Sequence, residues 1–161
     1  MVMTWSPVRS GDNAHRAIRH LGSLIEFDAT AEQTGGALAV TRHTCRLGTA
    51  APLHRHENED EVFVVLNGEL SVHIAGRWFR LPAGTTLFAP RGVPHAYRVE
   101  SQVCQFLTVI TPGGFERWFT ATGTPAETLT LPPAPPGPPD FALLVTAAAR
   151  HGVDILGPTP H

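Results

Sequence analysis

The sequence is poor in charge. Only 16% of its 161 residues are Asp, Glu, Lys or Arg, and 12 basic residues face 14 acidic ones for a formal net charge of -2. With no basic excess, nothing offsets a nucleic-acid backbone or an anionic membrane surface, so neither is expected as a partner. No apolar run approaches the roughly 18 residues that a membrane-spanning helix needs. The opening Met1-Val2-Met3-Thr4-Trp5-Ser6-Pro7 lacks the basic start and apolar stretch of a secretory leader. Cysteine is scarce. Cys45 and Cys104 share no C-x-x-C spacing, and each sits in an apolar, strand-like run. They read as buried free thiols, which suits a reducing compartment and gives the cytoplasm as the expected location. No internal duplication is visible.

What is abundant is punctuation. Glycine and proline number 15 each, while hydrophobic residues reach 42%. That combination supports a real core and argues for many short strands joined by turns. Residues 18–29 read as one or two short strands broken at Gly22, with a turn at Thr34-Gly35-Gly36 and a strand over 37–47. Further strands are expected over Glu61–Leu66, Leu70–Ile74, Trp78–Leu81, Thr85–Ala89, His95–Val99 and Val103–Thr111. Asn67-Gly68 is a hairpin signal and Ala75-Gly76 a second turn. Short strands at this spacing mean an all-β sandwich or barrel. Beyond Pro112 the character changes. Gly114–Phe119 could form a short helix, and six prolines in residues 132–139 form an extended connector. Asp140 can cap a helix running to about His151, with Phe141, Leu144, Val145 and Ala148 on one apolar face and Gly152 as its stop. That face should pack back on the barrel.

His54 and His56 stand two apart, so on a strand both imidazoles share a face. Glu61 opens the next strand, and His95 follows the Pro90-Arg91-Gly92 turn. Three imidazoles and a carboxylate suit one divalent ion of iron, nickel, manganese, cobalt, copper or zinc, and suit calcium poorly. Four protein ligands would leave coordination sites open, as catalysis requires. By period two, Phe63 shares the face of Glu61, and Tyr97 that of His95. Phe106, Phe88 and Trp78 are further candidates for the wall of a substrate cavity. His43 reads as structural, His73 as outward-facing, and His15, His20, His151 and His161 as unrelated to a metal. Arg98 and Arg117 read as surface residues, and Trp118 and Phe119 as covering one barrel end.

The framing residues complete Gly-x5-His-x-His-x4-Glu-x6-Gly over Gly48–Gly68 and Gly-x5-Pro-x-Gly-x2-His over Gly84–His95. This pair of spacings resembles the two motifs of the cupin superfamily. The second motif commonly ends on asparagine, where this chain has Val99; that position is not a ligand in the family. The flanking segments, roughly residues 18–157 in all, resemble small bacterial single-domain cupins described as similar to quercetin 2,3-dioxygenase. The resemblance implies an all-β, double-stranded barrel of jelly-roll type with a short C-terminal helical segment. Residues 1–161 would form one domain: barrel strands over 18–111, motifs at 48–68 and 84–95, and residues 112–161 packed on the barrel. It also implies metal ligation by His54, His56, Glu61 and His95, and a metal-dependent dioxygenase with Glu61 as general base. The substrate would be a flavonol-like or other enolisable aromatic molecule cleaved with O2. A non-oxidative metal enzyme on the same residues, such as a polyketide cyclase, isomerase or decarboxylase, stays open, as does a binding cupin without catalysis. Small cupins commonly pair, so a homodimer is expected, with residues 18–29 as the candidate exchanged segment.

Overall fold

The computed structural model describes residues 7–8 and 16–161. Residues 1–17, which are polar and read from sequence as a loosely held lead-in, lie almost wholly outside the described residues, as does His15. In chain order the elements are β1 (Ala17–His20), β2 (Ser23–Ala29), α1 (Ala31–Thr34), β3 (Ala39–Arg46), β4 (Leu53–His56), β5 (Asp60–Asn67), β6 (Glu69–Ile74), β7 (Arg77–Pro82), β8 (Thr86–Ala89), β9 (His95–Val99), β10 (Val103–Thr111), α2 (Glu116–Thr122), β11 (Thr124–Pro125), α3 (Phe141–Ala149) and β12 (Val153–Gly157). Two antiparallel sheets result. One runs β11-β1-β2-β3-β10-β5-β8 and the other β12-β4-β9-β6-β7. This is the jelly-roll arrangement, mostly β with few short helices. No described helix is long and apolar enough to cross a membrane.

Period-two patterning builds the interior. Along β3, Ala39, Thr41, His43 and Cys45 are buried in alternation, and along β10, Cys104, Phe106, Thr108 and Ile110. On β5 the buried residues are Glu61, Phe63 and Val65. Cross-strand register assembles these into inward rows: Ala39–Ile110–Glu61, then Thr41–Thr108–Phe63, then His43–Phe106–Val65, with Cys45 opposite Cys104 beyond. One apolar cluster of Phe63, Val65, Leu70, Val72 and Phe106 fills the space between the sheets. A second joins Ile18, Ile25 and Ile110 to Phe115, Phe119, Ala148 and Val153, which brings the C-terminal segment onto the barrel. Cys45 and Cys104 are buried free thiols.

Several sequence expectations change. Ala75-Gly76 does close a hairpin between β6 and β7, with φ of 51° and 78° at its two central residues, as a two-residue turn of this hand requires. Asn67-Gly68 does not, because β5 and β6 belong to different sheets. Here the chain crosses between layers, and Gly68 (φ +76°) sits where any side chain would run into Ser101 Oγ and the Val103 carbonyl. The turn before Gly35 is a single helical turn, α1, closed by a reciprocal capping box between Thr30 and Gln33. The apolar face of α3 is narrower than its spacing suggests: Leu144 and Ala148 are buried, whereas Phe141 is half exposed. β12 was not anticipated, and it pairs with β4.

Gly68→Ala should lower the midpoint of chemical denaturation, by roughly 1–3 kcal/mol, since it adds a positive-φ side chain against fixed backbone. Gly76→Ala, where the space is open, should cost only its φ strain, about 1 kcal/mol. Equal losses at the two sites would show that the packing at Gly68 is immaterial.

Candidate metal centre

The structure brings His54, His56, Glu61 and His95 together, with one potential ligand atom from each and all four atoms within 4.8 Å of one another. They come from three strands. β4 carries His54 and His56 and lies between β12 and β9; His54 is the direct cross-strand partner of His95. Glu61 enters from the opposite sheet on the first residues of β5. The turn at Pro90–Gly92 is tied to that strand by Arg91, whose backbone N donates to Asp60 Oδ1 at 2.8 Å and whose Nη2 donates to Oδ2 at 2.9 Å. Gly92 N donates to the His56 carbonyl at 2.8 Å, joining the turn to β4 as well.

Hydrogen bonds around the imidazoles decide which nitrogen faces inward. His54 Nδ1 donates to the Pro52 carbonyl at 2.8 Å, and His95 Nδ1 to the Val93 carbonyl at 3.0 Å. A carbonyl can only accept, so both rings carry hydrogen on Nδ1 and turn Nε2 into the cluster. His56 points its Nδ1 at Glu59 Oε2, 3.5 Å away, and its Nε2 at Glu61 Oε2, also 3.5 Å. Glu61 Oε2 lies 3.1 Å from His95 Nε2. Phe115 meets the His56 ring edge-on with centroids 4.5 Å apart.

The electrostatics ask for positive charge here. Burial opposes a charge on His56, but the carboxylates of Glu59 and Glu61 outweigh it and raise its pKa to about 9. Burial likewise works against ionised Glu61, yet the imidazoles of His56 and His95 hold its carboxyl well below the usual range. His54 goes the other way: burial, then the neighbouring His95 and His56, push its pKa down to about 3. Both ring nitrogens of His56 and Glu59 Oε2 are buried without a hydrogen-bond partner. A buried polar cluster with unmet lone pairs and two carboxylates is completed by a cation, and the nitrogen and oxygen donors fit a borderline divalent metal. The residues present thus fit a metal ion.

The model of the cupin domain family matches residues 42–111, which span β3 to β10 and contain all four clustered residues. The chain carries a cupin domain. A quercetin 2,3-dioxygenase of Bacillus subtilis (strain 168) is 29% identical over 126 residues, covering 78% of this chain and 34% of that protein. A protein of Myxococcus xanthus (strain DK1622) named endoribonuclease YbeY is 33% identical over 133 residues, covering 79% of this chain and 45% of that one. The chain thus spans a third to a half of the length of these curated relatives. Among solved structures, an RmlC-like cupin from Shewanella frigidimarina superposes with a TM-score of 0.60 at 19% identity, covering 71% of this chain and 99% of that one. That likeness concerns the fold.

The cupin cluster opens onto a cavity of about 420 Å³, walled in part by His54, Glu61, Phe63 and Tyr97. His54 keeps part of its surface exposed there, while His56, Glu61 and His95 are buried. Of the other aromatic residues read from sequence as cavity wall, Phe106 sits one layer behind, wholly buried between His43 and Tyr97. Phe88 and Trp78 are corrections. Phe88 is 56% exposed, because on β8 the inward positions fall to Leu87 and Ala89. Trp78 lies on the outer face of β7, edge-on to His73 and beneath the Arg98 guanidinium. His43, read from sequence as structural, and His20, read as unrelated to a metal, both line the cavity. Glu59, Phe115 and the β12 residues Val153 and Ile155 were not anticipated as neighbours of the cluster.

Metal analysis should find Glu59→Gln roughly 10- to 100-fold weaker in metal affinity, with His54→Ala and His95→Ala empty. Stoichiometric metal in either alanine variant would show the donor set to be wrong. A second expectation concerns pH. Burial lowers the pKa of His20 to about 4, against 6.5 in its absence. The unfolded chain therefore binds the extra proton between about pH 6.5 and 4, and stability falls as pH falls through that window. His20→Gln should flatten that part of the stability profile; an unchanged slope would contradict a neutral buried ring.

Proposed function

We propose that this cupin is a metal-dependent dioxygenase that opens the ring of a flavonol-like or other enolisable aromatic substrate with O2. The observation that carries the reading is the convergence of three imidazoles and one carboxylate on an aromatic cavity. Phe63, Tyr97, Phe115, Trp118 and Phe119 contribute to its wall, and among the described residues no arginine does. Such a cavity favours a flat, neutral ring system over a phosphate-bearing chain, which would need cationic partners. The similarity to a bacterial quercetin 2,3-dioxygenase over most of this chain supports the same reading.

A divalent ion held by His54, His56, Glu61 and His95 would supply Lewis acidity toward a substrate oxygen and, for a redox-active metal, access to O2. The chain's own groups account for the rest. Glu61 is held ionised by its imidazole neighbours, so its carboxylate can accept the proton of a substrate hydroxyl. The Nδ1 donations to Pro52 and Val93 keep His54 and His95 in the tautomer that presents Nε2 inward. Phe63 and Tyr97, whose rings meet edge-on at 6.2 Å, give the cavity an apolar wall against which an aromatic ring can pack. Burial raises the Tyr97 phenol well above its ordinary pKa, so it stays neutral and does not compete as an anion. In the net reaction both atoms of O2 enter the ring-opened ester, and the ring carbon bearing the acidic hydroxyl leaves with its own oxygen as carbon monoxide.

The test is oxygen uptake and carbon monoxide release across a flavonol panel, with protein loaded to one ion per chain. Glu61→Gln should retain most of its metal and lose activity by about 10²-fold or more. Full turnover in that variant would remove Glu61 as the proton acceptor. Substrate conversion under anaerobic conditions would replace the dioxygenase with a non-oxidative reaction on the same residues.

A further inference from the structure

A second polar group is buried in the cavity wall on the sheet that carries Glu61. Thr41 and Thr108 face each other across β3 and β10 in the row next to that of Glu61, roughly 7 Å along the strands. Their hydroxyl oxygens are 2.6 Å apart, and Thr41 Oγ1 lies 2.8 Å from His43 Nε2. All three residues are at least 98% buried, yet His43 and Thr108 line the cavity. Phe106 stacks on the His43 ring at 4.8 Å with an interplanar angle of 5°, and Phe119 meets it edge-on at 5.3 Å. The imidazole is therefore fixed in place as well as buried.

Proton accounting shows what such a ring is free to do. If Thr108 donates to Thr41 and Thr41 to Nε2, the ring hydrogen sits on Nδ1. If the chain runs the other way, Nδ1 presents a lone pair. Burial keeps the ring neutral, with a pKa of about 4, so exactly one hydrogen-bonding function remains at Nδ1 in either case. Within the described residues that nitrogen makes no hydrogen bond, and the ring that carries it lines the cavity. A neutral donor or acceptor set into an aromatic wall and backed by two hydroxyls is suited to one oxygen on a flat ligand. Among the described residues the donor cluster comprises His54, His56, Glu61 and His95 without His43.

We propose that His43, braced by Thr41 and Thr108, forms a polar subsite that binds a hydroxyl or carbonyl oxygen of an aromatic ligand whose other end lies at His54, His56, Glu61 and His95. The subsite deepens the dioxygenase reading by requiring a second oxygen substituent on the ring system, and it needs no oxygen chemistry of its own. His43 is a positioning and specificity residue in this scheme, not a metal ligand.

The test uses the full metal-loaded chain and two probes, 2-naphthol and naphthalene, titrated by calorimetry or fluorescence. Wild type should bind 2-naphthol roughly tenfold more tightly than naphthalene, the scale of one net hydrogen bond. His43→Phe should bring that ratio close to one with naphthalene affinity and metal content unchanged, and His43→Gln should keep much of the preference. A preference that survives His43→Phe, is absent in wild type, or disappears together with the metal overturns the subsite. Should His43→Phe fail to fold, nitrogen resonances of the His43 ring in labelled wild type decide: Nδ1 must shift with 2-naphthol and stay still with naphthalene. Flavonol turnover is scored separately. Naphthol selectivity without flavonol turnover removes the dioxygenase and keeps the subsite, and turnover without selectivity does the reverse.

Discussion

Everything else in this barrel is arranged around one electrostatic constraint: two carboxylates and three imidazoles crowd together at the buried end of a cavity. Glu59 and Glu61 are both buried, and His56 lies between them with neither ring nitrogen hydrogen-bonded. An uncompensated carboxylate in such a place costs several kcal/mol, which only a nearby positive charge can offset. A proton on His56 serves in part, as its raised pKa shows. A divalent cation would serve better, because it would also engage His54 and His95, whose Nδ1 hydrogens are already committed to backbone carbonyls. The surrounding scaffold then has the task of keeping like groups close despite their mutual cost.

It does so by drawing the clustered residues from both sheets. Glu61 belongs to one layer, and the three histidines to the other. Neither sheet alone forms the site, so the inter-sheet core has to hold the two layers at a fixed separation. Phe63 does this most directly. It shares the inward face of Glu61, meets the His95 ring at 6.1 Å, and touches Phe106 behind. The same residue is core and cavity wall, as expected where a small barrel's interior is only partly filled.

The four-residue cluster was legible in the sequence because each member depends on local rules. His54 and His56 share a face by period two, and the framing glycines and Pro90 mark turns whatever the tertiary structure. Phe63 and Tyr97 followed from the same alternation. The failures come from the point where alternation stops being informative. Thr86–Ala89 has apolar residues at three consecutive positions, so its period cannot say whether Leu87 or Phe88 faces inward; pairing with β5 decides it for Leu87. Trp78 is opposite His73 in the β6–β7 hairpin, and both point outward together. His43 could be placed on a strand, but its meeting with Thr41 and Thr108 depends on the register of β3 against β10, a contact across 65 residues. Asn67-Gly68 carries a turn signal, but the strands on either side of it belong to different sheets, and a dipeptide does not encode that long-range pairing.

The segment after the proline run shows most clearly why long-range pairing escapes a local reading. It looks like an appendage, yet β12 lies along β4, with Val153 opposite His56 and Ile155 opposite His54. Without β12, the strand that carries two of the four clustered residues would be a sheet edge, with one row of backbone groups unpaired and free to fray. Glu57 N donates to the Gly152 carbonyl at 2.9 Å, and Arg55 pairs with Asp154, so the bracing continues through side chains. Gly152 is held at φ +71° against Asn58, which brings the chain out of α3 and directly into β12. The buried face of α3 then supplies Ala148 to the apolar cluster that includes Phe115, the residue edge-on to His56. The C-terminal segment therefore acts on the site twice, once through the backbone of β4 and once through the packing beneath His56. The rigidity of a polar cluster assembled from both sheets rests in part on a strand nearly a hundred residues further along the chain.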